Sequence, residues 1–79
     1  MQNLEFPQKG SSATGLTQIF EVRSVHTGIL LGEISWYARW RRYAFYPDAG
    51  NLLDAECLRE IAKFLDDIMM ARKQDPQLR

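Results

Sequence analysis

The residues best equipped for chemistry in this 79-residue chain lie together in ISWYARWRRYAFYP, residues 34–47. This stretch holds six aromatic side chains and three arginines. Guanidinium groups bind carboxylates and phosphates, and aromatic rings supply large contact areas, so the combination is typical of a macromolecular interface. Aromatic rings are also a common filling of a small core. Which residues serve which purpose depends on the elements that carry them.

Residues typical of catalytic and metal sites are sparse. The chain has one histidine, His26, and one cysteine, Cys57, so a tetrahedral zinc site would lack ligands. Asp66 and Asp67 are adjacent, and on a helix their side chains would diverge by about 100°. The sequence contains no glycine-rich phosphate loop before a helix. We therefore expect no catalytic residues, no metal, no cofactor and no enzymatic activity.

The composition indicates one small globular domain. The chain is 46% hydrophobic and 25% charged, and its ten basic and ten acidic side chains balance. At this length the core is thin, and zero net charge does not favour nonspecific attraction to nucleic acid. No apolar run approaches the ~18 residues that would span a membrane. The lone cysteine favours a reducing compartment, so we expect a cytoplasmic protein that does not enter membranes.

Three segments are rich in β-branched and aromatic side chains, which predicts strands. They are residues 17–25, 29–37 and 42–47. Residues 26–28 are a three-residue loop, and Gly28 suits the left-handed conformation that such a loop needs. Residues 38–41 are a four-residue loop. Pro47 ends the third strand because it has no N–H to donate.

The strongest periodic signal predicts a helix after Asp54, whose carboxylate can cap the first turn. Leu53 and Leu58 flank this cap as a hydrophobic staple. Apolar residues then follow the 3.6-residue period up to Met69. We predict an α+β fold of two layers, in which a three-stranded antiparallel meander carries one amphipathic C-terminal helix on one face.

The domain boundaries follow from these elements. Residues 1–16 end in QKGSSATG and show no period, which predicts a flexible N-terminal leader. Residues 17–75 would form the single β-β-β-α domain. Residues 76–79 would be a frayed C-terminus.

The loop lengths fix a register, and the register assigns the faces of the sheet. The pairs are Phe20 with Ile34, Val22 with Gly32, Val25 with Ile29, Trp36 with Tyr43, Ile34 with Phe45 and Tyr37 with Arg42. Phe20, Val22, Ile34, Trp36, Tyr43 and Phe45 then form the core face under the helix residues Leu58, Ile61, Leu65 and Ile68. The outer face carries Ile19, Glu21, Arg23, Val25, Ile29, Leu31, Glu33, Tyr37, Arg42 and Tyr46. Half of the aromatic stretch is therefore core, and the other half is exposed.

The segment from residue 30 to residue 68 resembles a group of small proteins from phages and prophages. The shared pattern is a Gly-x-Ile-x-Trp-Tyr strand, a Trp-Arg-x-Tyr-x-Phe-x-Pro strand and a later Cys-Leu helix. The matching residues here are Gly32, Ile34, Trp36, Tyr37, Trp40, Arg41, Tyr43, Phe45, Pro47, Cys57 and Leu58. The resemblance implies a mobile-element context and the host-cell cytoplasm. Small proteins in this context often bind host or phage macromolecules, and some are anti-defence inhibitors.

These observations predict a non-enzymatic protein that binds a protein partner, as an inhibitor or modulator, through the open sheet face and the 38–42 turn. Rings and arginines tend to dominate interface energies. The expected partner-binding residues are Arg23, Tyr37, Arg39, Trp40, Arg41, Arg42 and Tyr46.

Two alternatives remain. The first is a DNA- or RNA-binding domain that uses the same arginines and rings, since the plan of three strands and one helix also resembles integrase arm-binding domains. Glu21 and Glu33 argue against it because they would face the phosphates. The second alternative is a homodimer built sheet to sheet or edge to edge, since oligomerisation often supports so thin a core.

Overall fold

The computed structural model describes residues 2–74. These residues form one α+β unit in which an open antiparallel sheet packs on one helix. The elements, in chain order, are β1 (Leu4–Glu5), β2 (Gln8–Ser11), β3 (Gln18–Ser24), β4 (Leu30–Tyr37), β5 (Arg42–Pro47) and α1 (Ala55–Gln74). The fold class is confirmed. The predicted number of strands is wrong, because the sheet has five strands instead of three.

The two additional strands lie within residues 1–16, which the sequence analysis placed outside the fold as a leader. β1 and β2 pair with β3 one after the other, with Leu4 opposite Ser24 and Ser11 opposite Gln18. Between them, Glu21 N–H donates to the carbonyl of Pro7 at 2.9 Å. The N-terminal segment thus covers the free side of β3, which would otherwise be an unpaired edge.

The helix holds this N-terminal segment in place. The Glu60 carboxylate accepts hydrogen bonds from the backbone N–H groups of Asn3 and Leu4, each at 3.0 Å. Partial burial raises the pKa of the Glu60 carboxyl, but these hydrogen bonds and that of the Asn3 side chain outweigh the burial, so the pKa lies below its usual value. Leu4 is fully buried, and the Phe6 ring stacks on Phe64 with centroids 4.3 Å apart.

The register predicted between β4 and β5 is confirmed, and that between β3 and β4 is confirmed as far as Val22. The predicted Val25–Ile29 pair and the three-residue loop 26–28 are wrong, because β3 ends at Ser24, whose N–H donates to the carbonyl of Ile29. Phe20 pairs with Ile34 and Val22 with Gly32, while the pairs between β4 and β5 run without interruption from Gly32–Pro47 to Tyr37–Arg42. The register shifts beyond Val22, where Arg23 pairs with Leu30. Leu31, predicted on the outer face, is therefore buried in the core cluster, because this bulge interrupts the strict alternation of side chains.

The close contact between β4 and β5 requires a glycine at position 32. A Cβ at this position would collide with the backbone carbonyl of Tyr46 and would lie 2.7 Å from the Phe45 ring. The absence of a side chain thus lets the Phe45 ring pack directly over β4.

The helix begins as predicted, after the Asp54 cap. Cys57 N–H donates to Asp54 Oδ1 at 2.9 Å, and this hydrogen bond lowers the pKa of the Asp54 carboxyl. Ile61, Leu65 and Ile68 pack on the core as predicted. Leu58 does not, because it lies on the flank of α1 and is half exposed. The predicted frayed residues 76–79 lie outside the described residues.

Candidate functional site

The outer face of the sheet, which α1 does not cover, contains two acids that face each other at its centre. Glu21 on β3 and Glu33 on β4 are direct register partners. Each acid is paired with a base. Arg23 Nε donates to Glu21 at 2.9 Å, and Lys9 reaches across β3 to form an ion pair with Glu33. The centre of this face is therefore close to electrically neutral.

These ion pairs perturb the basic groups as well. The hydrogen bond to Glu33 and the charge of that carboxylate raise the pKa of the Lys9 ammonium. Arg23, predicted as a partner-binding residue, is occupied by Glu21 and by the carbonyl of Gly28 at 3.0 Å. Arg23 is thus part of the internal charge pairing of the sheet.

The turn between β4 and β5 differs from the centre of the outer face in that its basic side chains are not paired with acids among the described residues. Arg39, Trp40, Arg41 and Arg42 are all exposed, and Trp40 retains 64% of its accessible surface. None of the three arginines has an ion-pair partner among residues 2–74. Three positive charges therefore project from one end of the sheet, next to an exposed indole ring.

The backbone of this turn is strained. Arg41 has φ 52°, a left-handed conformation that side chains other than glycine rarely adopt. Two turn hydrogen bonds hold it there, from Trp40 N–H to the carbonyl of Tyr37 and from Arg41 N–H to that of Ala38, both at 3.2 Å. Strained residues of this kind concentrate at functional sites, where the surrounding structure maintains the conformation.

Two tyrosines border the flat part of the outer face. Tyr37 packs edge-on against Trp40, with ring centroids 4.9 Å apart, instead of stacking on its register partner Arg42. Tyr46 lies at the other end of β5 and is 43% exposed. Between the two tyrosines in the strand register lies the pair Ser35–Ala44, whose side chains are small.

The structure brings five of the seven predicted partner-binding residues together at the turn. Tyr37, Arg39, Trp40, Arg41 and Arg42 form one cluster at the turn, and Tyr46 is four residues further along the same strand. We call these six residues the turn surface. Arg23 is not part of it, because its register partner Leu30 lies seven residues from Tyr37 along β4, a distance of roughly 20 Å.

The sequence analysis missed two basic side chains that shape these surfaces. Lys9 was assigned to the leader, so its pairing with Glu33 was not foreseen. The Arg72 guanidinium lies over the Trp36 ring at 4.2 Å and donates to the carbonyl of Leu16 at 3.2 Å. No local signal in the sequence could have shown either contact, because each joins residues far apart in the chain.

Other chemically relevant groups lie elsewhere. Burial raises the pKa of the Cys57 thiol, and its hydrogen bond with Asp54 raises the pKa further. Within residues 2–74, the structure contains no group of three or more His, Cys, Asp or Glu side chains that could hold a metal ion. No helix in the same range is both long enough and apolar enough to cross a membrane.

The fold and the turn surface define a small, single-domain α+β protein with an open sheet face. A protein of Acholeplasma phage L2, described as an uncharacterized 9.3 kDa protein, is 33% identical over 58 residues, which cover 73% of this chain and 74% of the phage protein. The chain belongs to the same family as this phage protein. No protein-family model matches the chain. No solved structure matches it either.

Proposed function

We propose that this chain is a non-enzymatic phage accessory protein that inhibits or modulates a protein partner. It binds this partner through the open sheet face and the turn surface. The phage relative supports the mobile-element context, in which anti-defence inhibition is one such activity.

The observation that carries the proposal is the contrast in charge pairing. Glu21 and Glu33 are neutralised within the sheet, whereas Arg39, Arg41 and Arg42 have no acidic partner among residues 2–74. The exposed Trp40 lies in the same turn as these arginines, and the exposed Tyr46 lies at the other end of β5. Aromatic rings and arginines are the residues that most often dominate protein interfaces, so the turn surface fits an acidic and apolar patch on the partner.

A second candidate, nucleic-acid binding, has its own supporting observation. The sequence analysis counted Glu21 and Glu33 against it, but Arg23 and Lys9 compensate both acids. The outer face then repels phosphates less than the sequence implied, while three arginines remain available. Protein binding ranks first because the remaining positive charge of the outer face is confined to one turn, whereas nucleic-acid binders spread it along a groove or face.

Titration against duplex and single-stranded DNA and RNA separates the two candidates. Glu21→Gln with Glu33→Gln leaves Arg23 and Lys9 without their acids, which adds two positive charges to the face. If the protein candidate is right, the wild-type chain binds nucleic acid weakly at physiological salt. Sub-micromolar binding that weakens steeply with salt and tightens in the double variant would reverse the ranking, because counterion release controls such binding.

A further inference from the structure

The two edges of the sheet differ in whether the chain covers them. Residues 4–11 cover the outer side of β3, whereas β5 pairs with β4 alone among the described residues. An exposed edge presents unpaired N–H and C=O groups and can take up another strand. We propose that the free edge of β5 joins the same edge of a second copy of this chain, giving a symmetric dimer with one continuous sheet. This proposal does not rest on the proposed function.

The ladder shows which groups are free. Asp48 N–H donates to the carbonyl of Leu31 at 2.9 Å, directly beyond the Gly32–Pro47 pair. Because antiparallel pairs alternate between bonded and non-bonded, the N–H groups that point away from β4 are those of Tyr43 and Phe45. Pro47, the next residue in this outward-pointing series, has no N–H. The edge therefore offers two donors and the carbonyls of Tyr43, Phe45 and Pro47.

Antiparallel pairing about a two-fold axis at Phe45 uses both donors. Phe45 of each copy exchanges hydrogen bonds with Phe45 of the other, and Tyr43 N–H donates to the carbonyl of Pro47 in the second copy. The missing N–H of Pro47 leaves only the Tyr43 carbonyl without a donor in this register. A two-fold interface is self-complementary, so each contact occurs twice.

Charge complementarity favours this occupant. Arg42 lies at one end of β5 and Asp48 directly follows the other end, both are exposed, and neither has an ion-pair partner among residues 2–74. The register places Arg42 of one copy directly opposite Asp48 of the other, on the outer face. Opposite charges in directly facing positions stabilise strand pairing, and here the pair forms twice.

A groove on the helix side of the β5 edge has room for side chains of an added strand. A groove of about 520 Å³ runs between β5 and α1. It is lined by Arg41, Arg42, Tyr43, Ala62, Leu65, Asp66 and Met69. In this register Pro47 of the second copy lies opposite Tyr43, so its ring would enter the groove beside Leu65 and Met69, and such burial adds to a core that is thin at this chain length.

Charge reversal tests the register. Sedimentation equilibrium over a range of concentrations should show that the wild-type chain dimerises. Arg42→Asp and Asp48→Arg should each weaken dimerisation at least tenfold, since each variant places like charges opposite each other. An equimolar mixture of the two variants should recover dimers, because the two acids of one variant then face the two arginines of the other. Circular dichroism confirms that each variant is folded.

A matched pair of variants tests the groove. Met69→Glu places a charge inside it and should weaken dimerisation, whereas Met70→Glu, at a neighbouring exposed position outside the groove, should not. A wild-type chain that stays monomeric would overturn the proposal and leave the edge available to another strand. Dimers that are insensitive to the single charge reversals, or a mixture that remains monomeric, would overturn it as well.

Discussion

The two sides of this sheet differ in how completely the chain pairs its edge backbone groups and its charged side chains. On the β3 side, β1 and β2 take up the backbone edge, Glu60 holds Asn3 and Leu4, and Lys9 and Arg23 neutralise the central acids. On the β5 side, the edge is open and three arginines lack acidic partners among residues 2–74. The difference indicates that the β3 side serves stability and that the β5 side is available for interactions.

The largest effect on stability is expected from removing the N-terminal segment, which covers the β3 side of the sheet. Deletion of residues 2–11 would expose the edge of β3 and remove Leu4 and Phe6 from the core. We expect the truncated chain to lose its cooperative thermal transition, measured by circular dichroism. The exposed Gln8→Ala variant is the control and should unfold near the wild-type temperature. A truncated chain with a wild-type transition would restore residues 1–16 to the status of a leader.

The next largest effect on stability is expected where β4 packs against β5. Gly32→Ala introduces a methyl group against the Tyr46 carbonyl and the Phe45 ring. Overpacking of this kind should cost about 1–3 kcal/mol in urea denaturation. Gly10→Ala is the matched control, since a Cβ at Gly10 meets no atom within 4 Å. Equal stability of the two variants would mean that β5 can move away from β4 freely.

The stabilisation of the N-terminal segment by Glu60 should depend on pH. The folded-state pKa of Glu60 is lowered from 4.5, so its contribution to stability is present above that value and is lost as the pH falls through the folded pKa. Glu60→Gln should cost about 1–2 kcal/mol at pH 7 and flatten the acid side of the stability curve. Chemical denaturation at several pH values measures both. A variant with the wild-type pH profile would exclude Glu60 as the anchor.

The smallest effect is on the turn surface. Arg41→Gly relieves the left-handed strain at φ 52° and should raise stability by about 0.5–1 kcal/mol. Arg39→Gly, at a turn position without positive φ, should not raise it. Thermal denaturation of both variants makes the comparison. A stabilised Arg39→Gly chain would show that the gain is not specific to the left-handed position.

Patterns local to the sequence predicted much of this fold. The length of the 38–41 loop gave the correct register from Ile34–Phe45 to Tyr37–Arg42, and the Asp54 cap marked the start of α1. These features depend on neighbouring residues or on tight turns. The exposure of Trp40 in its turn also followed from the register.

The errors arose where distant residues decide the structure. Leu4 pairs with Ser24 and is held by Glu60, and no composition rule connects residues so far apart. The bulge beyond Val22 inverted the expected side of Leu31. The left-handed Arg41 lacks the glycine or asparagine that usually marks such a position. The separation of Arg23 from the turn surface likewise depended on the three-dimensional structure.

Affinity capture from a bacterial host lysate, followed by quantitative mass spectrometry, tests most directly whether the turn surface binds a protein. The wild-type chain is compared with an Arg39→Ala/Trp40→Ala variant and with a Leu58→Ala/Arg59→Ala control, which removes the same kinds of side chain from exposed positions on α1. If the turn surface binds a protein, we expect a partner that is retained after nuclease treatment, captured by the control and lost with the turn variant. Equal capture by both variants, or a partner released by nuclease, would contradict it.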